Sequence, residues 1–149
     1  MKPYIHKVNY YETDKMQVTH HSNYIRFMEE ARVDFLEQLG WGYDKMEAEG
    51  VVSPVISVTC DYKRPTTFPD VISIAVTVAS CTSVKLTLSY IMKVKDTVVC
   101  KGTSSHCFLG KDGKPLFIKD AYPELYRILI ESTPPTHKHR YVPFAHESA

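Results

Sequence analysis

Between Asn23 and Leu39 the apolar residues recur at steps of three and four, and from Val51 onward they recur at steps of two. A chain that places one strongly amphipathic helix ahead of a run of alternating strands has few ways to bury both. Tyr24, Phe27, Met28, Ala31, Phe35, Leu36 and Leu39 form the helical stripe, and Ile25 and Val33 widen it. A stripe that broad predicts a deeply buried helix. Arg26, Glu29, Glu30, Arg32, Asp34 and Glu37 take the remaining positions, with Glu29 and Arg32 spaced for an ion pair. Ser22 or Asn23 can cap the first turn through a side-chain oxygen, and Gly40 supplies the stop.

The flanking segments complete the order. Tyr4 to Tyr11 reads as a short strand, and Glu12 to His21 as a polar stretch without a clean period. Tyr43 to Glu49 offers further helical turns ended by Gly50. Pro54, Ile56, Val58, Cys60 and Tyr62 alternate with Val55, Ser57, Thr59 and Asp61. After a connection marked by Pro65, Pro69 and Asp70 come strands at Val71–Val78, Val84–Met92 and Thr97–Leu109, with Lys95-Asp96 as a tight turn. Gly110 to Lys114 is a loop, and Ala121 to Glu131 a last helix that Pro123 confines at its start. The architecture implied is α+β, an antiparallel meander wrapped around one long central helix. The sheet's outer face, rich in small polar residues, must meet water or another subunit.

A chain of 149 residues suits one domain, expected at 1–133, with an extended Pro- and His-rich tail at 134–149. The net charge of +1 argues against nucleic acid as a partner. Cys60, Cys81, Cys100 and Cys107 form no C-x-x-C pair, and most sit in strand-like runs as small hydrophobes. With no signal-like N-terminus and no apolar run long enough to span a bilayer, a cytoplasmic location is expected.

If the first strand persisted to its end, Tyr10, Glu12 and Asp14 would share one face. Asp14 would then stand close in sequence to the start of the buried helix. A helix start offers unpaired N–H groups and a positive dipole end, which suit a developing oxyanion, and a carboxylate beside it is available as base or nucleophile. On local chemistry alone, an Asp before a helix is more often a cap or a solvated loop residue. His20 and His21 would point apart in a strand and lack further ligands at a convincing spacing, so no metal is expected.

The run Tyr11-Glu12-Thr13-Asp14-Lys15-Met16, with His21-Ser22-Asn23-Tyr24-Ile25-Arg26-Phe27-Met28-Glu29-Glu30-Ala31-Arg32, closely resembles the signature of the 4-hydroxybenzoyl-CoA thioesterase family. It is most similar to the branch of small bacterial acyl-CoA thioesterases associated with the Tol–Pal cluster. Asp61-Tyr62-Lys63-Arg64-Pro65 and Pro69-Asp70 are similar to that family's second strand and its exit. The resemblance implies a hotdog fold that hydrolyses an acyl-CoA thioester without a cofactor. It implies a homo-oligomer, a dimer of dimers, with the site between subunits. It places the catalytic carboxylate, nucleophile or general base, on Asp14, and the carbonyl-polarising N–H on His21, whose side chain is also implicated. The family's Tyr four residues before the Asp falls on Tyr10. Lys63, Arg64 and Lys85 are candidates for the CoA phosphates. Where the family has Gly this chain has Gln17, a residue that adopts a left-handed or tight backbone only at a cost and that bears on the acyl pocket. Two other functions fit less well: a hotdog hydratase or dehydratase, and a non-catalytic acyl-CoA-binding protein.

Overall fold

The structure, a computed structural model, describes residues 1–135. His137, His139 and His146, and nearly all of the expected 134–149 tail, lie outside the described residues. In chain order the elements are β1 (Tyr4–Lys7), a single 3-10 turn (Tyr10–Glu12), α1 (Asn23–Gln38), α2 (Tyr43–Glu49), β2 (Val55–Tyr62), β3 (Val71–Cys81), β4 (Lys85–Val94), β5 (Thr97–Cys107), α3 (Ile118–Ala121) and α4 (Pro123–Glu131). The strands make one five-stranded sheet in the order β1-β3-β4-β5-β2, with every neighbouring pair antiparallel.

The helical stripe does what its spacing predicts. Tyr24, Phe27, Met28, Ala31, Phe35 and Leu36 are buried. They join one core with Ile72, Ile74 and Val78 of β3, Leu86, Leu88 and Met92 of β4, and Cys100 of β5. Each large apolar side chain fully buried this way contributes about 1.5–3 kcal/mol, so the sheet and helix are held mainly by this one contact layer. The cysteines are free, and burial pushes the Cys100 thiol up to about 12 and the Cys81 thiol up to about 11. Both are therefore neutral packing groups. Gly40 follows α1 at φ 84°, the left-handed conformation of a helix stop.

The tightest point of the helix–sheet contact is Gly102 on β5. A Cβ there would collide with Cε of Met28 and come within 2.6 Å of the Thr59 carbonyl oxygen. The absent side chain lets α1 press against the sheet.

Several expectations need correction. The first strand ends at Lys7 rather than Tyr11. The carboxylate of Glu12 accepts the Asn9 N–H at 2.8 Å and draws the chain into the 3-10 turn, so Tyr10, Glu12 and Asp14 do not share a strand face. Neither Ser22 nor Asn23 caps α1 with its side chain; both bond to the preceding loop instead. Ile25 is exposed, while Arg32 is 7% exposed and belongs to the interior. The strands are not a simple meander, because β2 pairs with β5 at an outer edge. The connection from Tyr62 to Val71, with two prolines, is too long for a tight hairpin and carries the chain across the sheet. The last helix is broken at Tyr122 into α3 and α4, with Pro123 at the first position of α4.

Gly102→Ala should lower unfolding free energy by about 1–3 kcal/mol, the usual cost of overpacking. Combined with Met28→Ala, it should cost less than the sum of the two single changes in a denaturant-unfolding cycle, because the double variant removes the Met28 clash and leaves only the one with the Thr59 carbonyl oxygen.

Candidate active site

Asp14 opens a short hairpin. Its N–H donates to the Val18 carbonyl at 2.9 Å, its carbonyl accepts the Gln17 N–H at 2.9 Å, and Thr13 bridges Thr19. One carboxylate oxygen, Oδ1, accepts the Met16 N–H at 2.8 Å. That Asx turn fixes the side chain and leaves the other oxygen with no partner among the described residues. Gln17 closes the turn at φ 65°, in the left-handed region that a residue other than Gly adopts only at a cost. An L-residue there costs about 1–2 kcal/mol. The hairpin bonds offset that cost, together with the Thr67 hydroxyl donating to the Gln17 carbonyl at 2.7 Å.

The approach to α1 is stitched to the Lys63–Asp70 connection. The Thr19 N–H donates to the Thr66 carbonyl at 2.8 Å, and the Tyr24, Thr66 and Thr19 hydroxyls form a buried chain at 2.8 and 2.7 Å. His20 and His21 lie in a turn rather than a strand, and their rings stack at 4.2 Å instead of pointing apart. Ser22 spends its hydroxyl on Nδ1 of His20 at 2.8 Å. The His21 carbonyl accepts the Tyr62 hydroxyl at 3.1 Å, and the His21 N–H donates to no acceptor among the described residues. An unpaired N–H beside a helix start is able to donate to an incoming acceptor.

These contacts bring three of the expected residues together. His21, Lys63 and Arg64 line a pocket of about 260 Å³ with Thr19, Tyr24, Tyr62 and Pro65. Asp14 and Gln17 stand on the hairpin leading into it rather than in its wall. Tyr10 is 75% exposed and packs on Phe68 with ring centroids 5.9 Å apart. Lys85 lies at the other end of its own sheet. It pairs with Cys107, whereas Tyr62 pairs with Cys100; seven residues of strand separate the two positions, roughly 23 Å. Among the described residues no group of His, Cys, Asp and Glu side chains converges to hold a metal.

Two residues to which sequence reasoning gave no site role organise this region. His6 and Glu12 are 8% and 7% exposed. Nε2 of His6 lies 2.9 Å from Oε1 of Glu12, and Nδ1 lies 3.2 Å from Oε1 of Glu30, which also accepts the Tyr4 hydroxyl at 2.7 Å. The Glu12 main-chain carbonyl accepts both the His20 N–H at 2.8 Å and Nδ2 of Asn23 at 2.9 Å. The signal available in the sequence was a charged residue two positions before Asp14 and an Asn opening the helix.

A second polar cluster sits inside the core. Arg32 donates to the hydroxyls of Tyr43 and Tyr90, each at 3.1 Å, and its spacing to Glu29 is a loose 4.0 Å. The Tyr90 hydroxyl meets Ser104 at 2.6 Å, and Ser104 meets Nε2 of His106 at 2.8 Å. Tyr90, Ser104 and His106 are almost fully buried, so this Ser–His pair is structural. Burial, reinforced by the Arg32 charge and opposed by a Ser53 backbone hydrogen bond, pulls His106 down to about 4.

Comparison with known proteins shows the family to which the chain belongs. The thioesterase-like superfamily matches residues 8–136. A provisionally named esterase of Aquifex aeolicus is 37% identical over 111 residues, which cover 74% of this chain and 86% of that one. A provisionally named acyl-CoA thioesterase of Bacillus subtilis, YneP, is 32% identical over 120 residues, covering 79% and 87%. The crystal structure of a DHNA-CoA thioesterase from Staphylococcus aureus shares the fold at TM-score 0.85, with 24% identity and 95% and 96% of the two chains covered. The chain belongs to the thioesterase-like superfamily; it has the hotdog fold and is a hydrolase of the thioesterase type.

The depressed His106 sets a pH dependence whose sign follows from proton counting. Between the ordinary His value near 6.5 and the folded value near 4, the unfolded chain binds the proton and the folded chain does not. Stability should be fully present above about pH 6.5 and fall by about 3 kcal/mol as pH drops to 4. Urea titrations at a series of pH values should show that slope in the wild type and a shallower one in His106→Gln.

Proposed function

We propose that this member of the thioesterase-like superfamily hydrolyses an acyl-CoA thioester to the free acid and CoA, with Asp14 supplying the reacting carboxylate. The observation that carries the reading is a fixed carboxylate and a free main-chain donor on one short segment, seven residues apart. Asp14 is held through one oxygen with the other unengaged, and the His21 N–H beyond the same hairpin has no acceptor among the described residues.

In this reading the thioester carbonyl oxygen accepts the His21 N–H. Attack on the carbonyl carbon turns that oxygen into an oxyanion, which the same donor stabilises more strongly than the ground state. As a general base, Asp14 takes a proton from the attacking water; the C–S bond then breaks, and the CoA thiolate leaves and picks up a proton. As a nucleophile, Asp14 forms an acyl anhydride with the same loss of thiolate, and water hydrolyses the anhydride afterwards. Lys63 and Arg64 are both exposed at the rim of the His21 pocket, which supports them as the partners of the CoA phosphates in this reading. In this reading Tyr10 joins Asp14 and His21 as a catalytic residue, Gln17 meets the substrate from the hairpin, and Lys85 serves a site only from a second copy of the chain.

The motif from Tyr11 to Arg32 supports membership of the 4-hydroxybenzoyl-CoA thioesterase family, in the branch associated with the Tol–Pal cluster. Strand β2 supports a homo-oligomer, a dimer of dimers by family analogy: it is an edge strand with Val55, Ile56 and Tyr62 exposed. We take residues 1–133 as the domain, with the remainder a tail. The four free thiols suit a cytoplasmic setting.

Thiol release from a panel of short, long and aromatic acyl-CoA esters tests the proposal. The wild type should turn over at least one ester, and Asp14→Asn should lower kcat by roughly 10²–10⁴-fold. Acyl-CoA binding without thiol release from any ester would replace the hydrolase with a binding protein. Hydration of an enoyl-CoA in place of thiol release would replace it with a hydratase.

A further inference from the structure

We propose that Glu12 and Asn23 are positioning residues that set the relation between the Asp14 carboxylate and the His21 N–H, an inference that rests on the thioester hydrolysis proposed above. Asp14 sits on a hairpin and His21 at the approach to a helix, and besides the hairpin's own bonds a further tie holds one in register with the other. Glu12 supplies it from both ends. Its side chain grips the chain before the hairpin, through the Asn9 N–H at 2.8 Å and His6 at 2.9 Å. Its carbonyl grips the chain after the hairpin, through the His20 N–H at 2.8 Å and Nδ2 of Asn23 at 2.9 Å.

The two grips therefore bracket residues 13–19, and each ends one or two residues from a proposed reacting group. Asp14 is two positions beyond Glu12, and His21 lies between His20 and Asn23. Glu12 and Asn23 are both buried, so water does not compete for these bonds. His6 makes the first grip rigid. Its ring packs on Phe27 of the core helix at 4.1 Å and reaches Glu30 on the same helix, so Glu12 is tied to α1 by a second path. The helix start carries no side-chain cap: Ser22, the residue before α1, spends its hydroxyl on His20, and Asn23 commits its amide nitrogen to Glu12.

The test compares Glu12→Ala, Asn23→Ala and the conservative Glu12→Gln by steady-state thiol release on the best ester of the panel, with folding checked by circular dichroism. Glu12→Ala and Asn23→Ala should lower kcat by roughly 30–100-fold, the scale of a displacement of about 1 Å in a reacting group, while KM changes by less than about threefold. Glu12→Gln keeps Oε1 as acceptor and should recover to within about threefold of wild type. In an Asp14→Asn background neither alanine change should lower the residual rate further, because the group they position is gone. Unchanged kcat in a folded Asn23→Ala protein, or an equal loss in the Asp14→Asn background, overturns the positioning role. Should Glu12→Ala fail to fold, Asn23→Ala decides alone, since it removes one side-chain donor and leaves the Glu12 carboxylate in place. If Asp14→Asn itself keeps the wild-type rate, the role proposed for Asp14 falls and this inference falls with it; if only the positioning variants are silent, the Asp14 reading stands.

Discussion

Met28 of α1 meets β5 where residue 102 has no side chain, and that contact sets how closely helix and sheet approach. From it follows the burial of the whole α1 stripe against β3, β4 and β5, the dominant favourable term in a chain of this size. A helix held this firmly along one face leaves its N-terminal end as a fixed object. Its first residues project toward the Lys63–Asp70 connection, and the polar segment from Thr13 to His21 is laid across that end by threonine hydroxyls and main-chain bonds. The site is thus a consequence of core packing: moving the helix would move the His21 N–H and the pocket around it together.

The long helix, its Gly40 stop, the alternating strands and the turn at Lys95-Asp96 were legible because each depends on local periodicity or on one residue's backbone freedom. Strand order was not, since which edge β2 joins depends on the course of the connection and on cross-strand packing with β5. Arg32 read as a surface residue because its type is usually solvated, yet two phenols receive it inside the core. The strand face expected for Tyr10, Glu12 and Asp14 failed for a local reason. A carboxylate three residues after Asn9 can bond back to that residue's N–H, and the resulting turn competes with extended backbone.

For the candidate site, the sequence pointed to Asp14, His21 and Gln17 through a motif, and the backbone shows a conformational demand at one of them. Gln17 does occupy the left-handed region where Gly would be unstrained, and the hairpin is closed nonetheless. The contributions of His6, Glu12 and Asn23 were hidden because their bonds run between segments with no shared periodicity. The basic residues separate by topology: Lys63 and Arg64 follow β2 into the His21 pocket, whereas Lys85 begins β4 at the far end. Charge alone could not have divided them.

The central claim is that the thioester carbonyl is polarised by the His21 N–H while the Asp14 carboxylate faces its carbon. A crystal structure of the Asp14→Asn protein with an acyl-CoA analogue, its thioester sulfur replaced by CH₂, would observe this directly. The account predicts the ketone oxygen about 2.7–3.1 Å from the His21 nitrogen, with residue 14 beside the carbonyl carbon. A ketone oxygen held by another donor, with the His21 N–H turned to solvent, would contradict it.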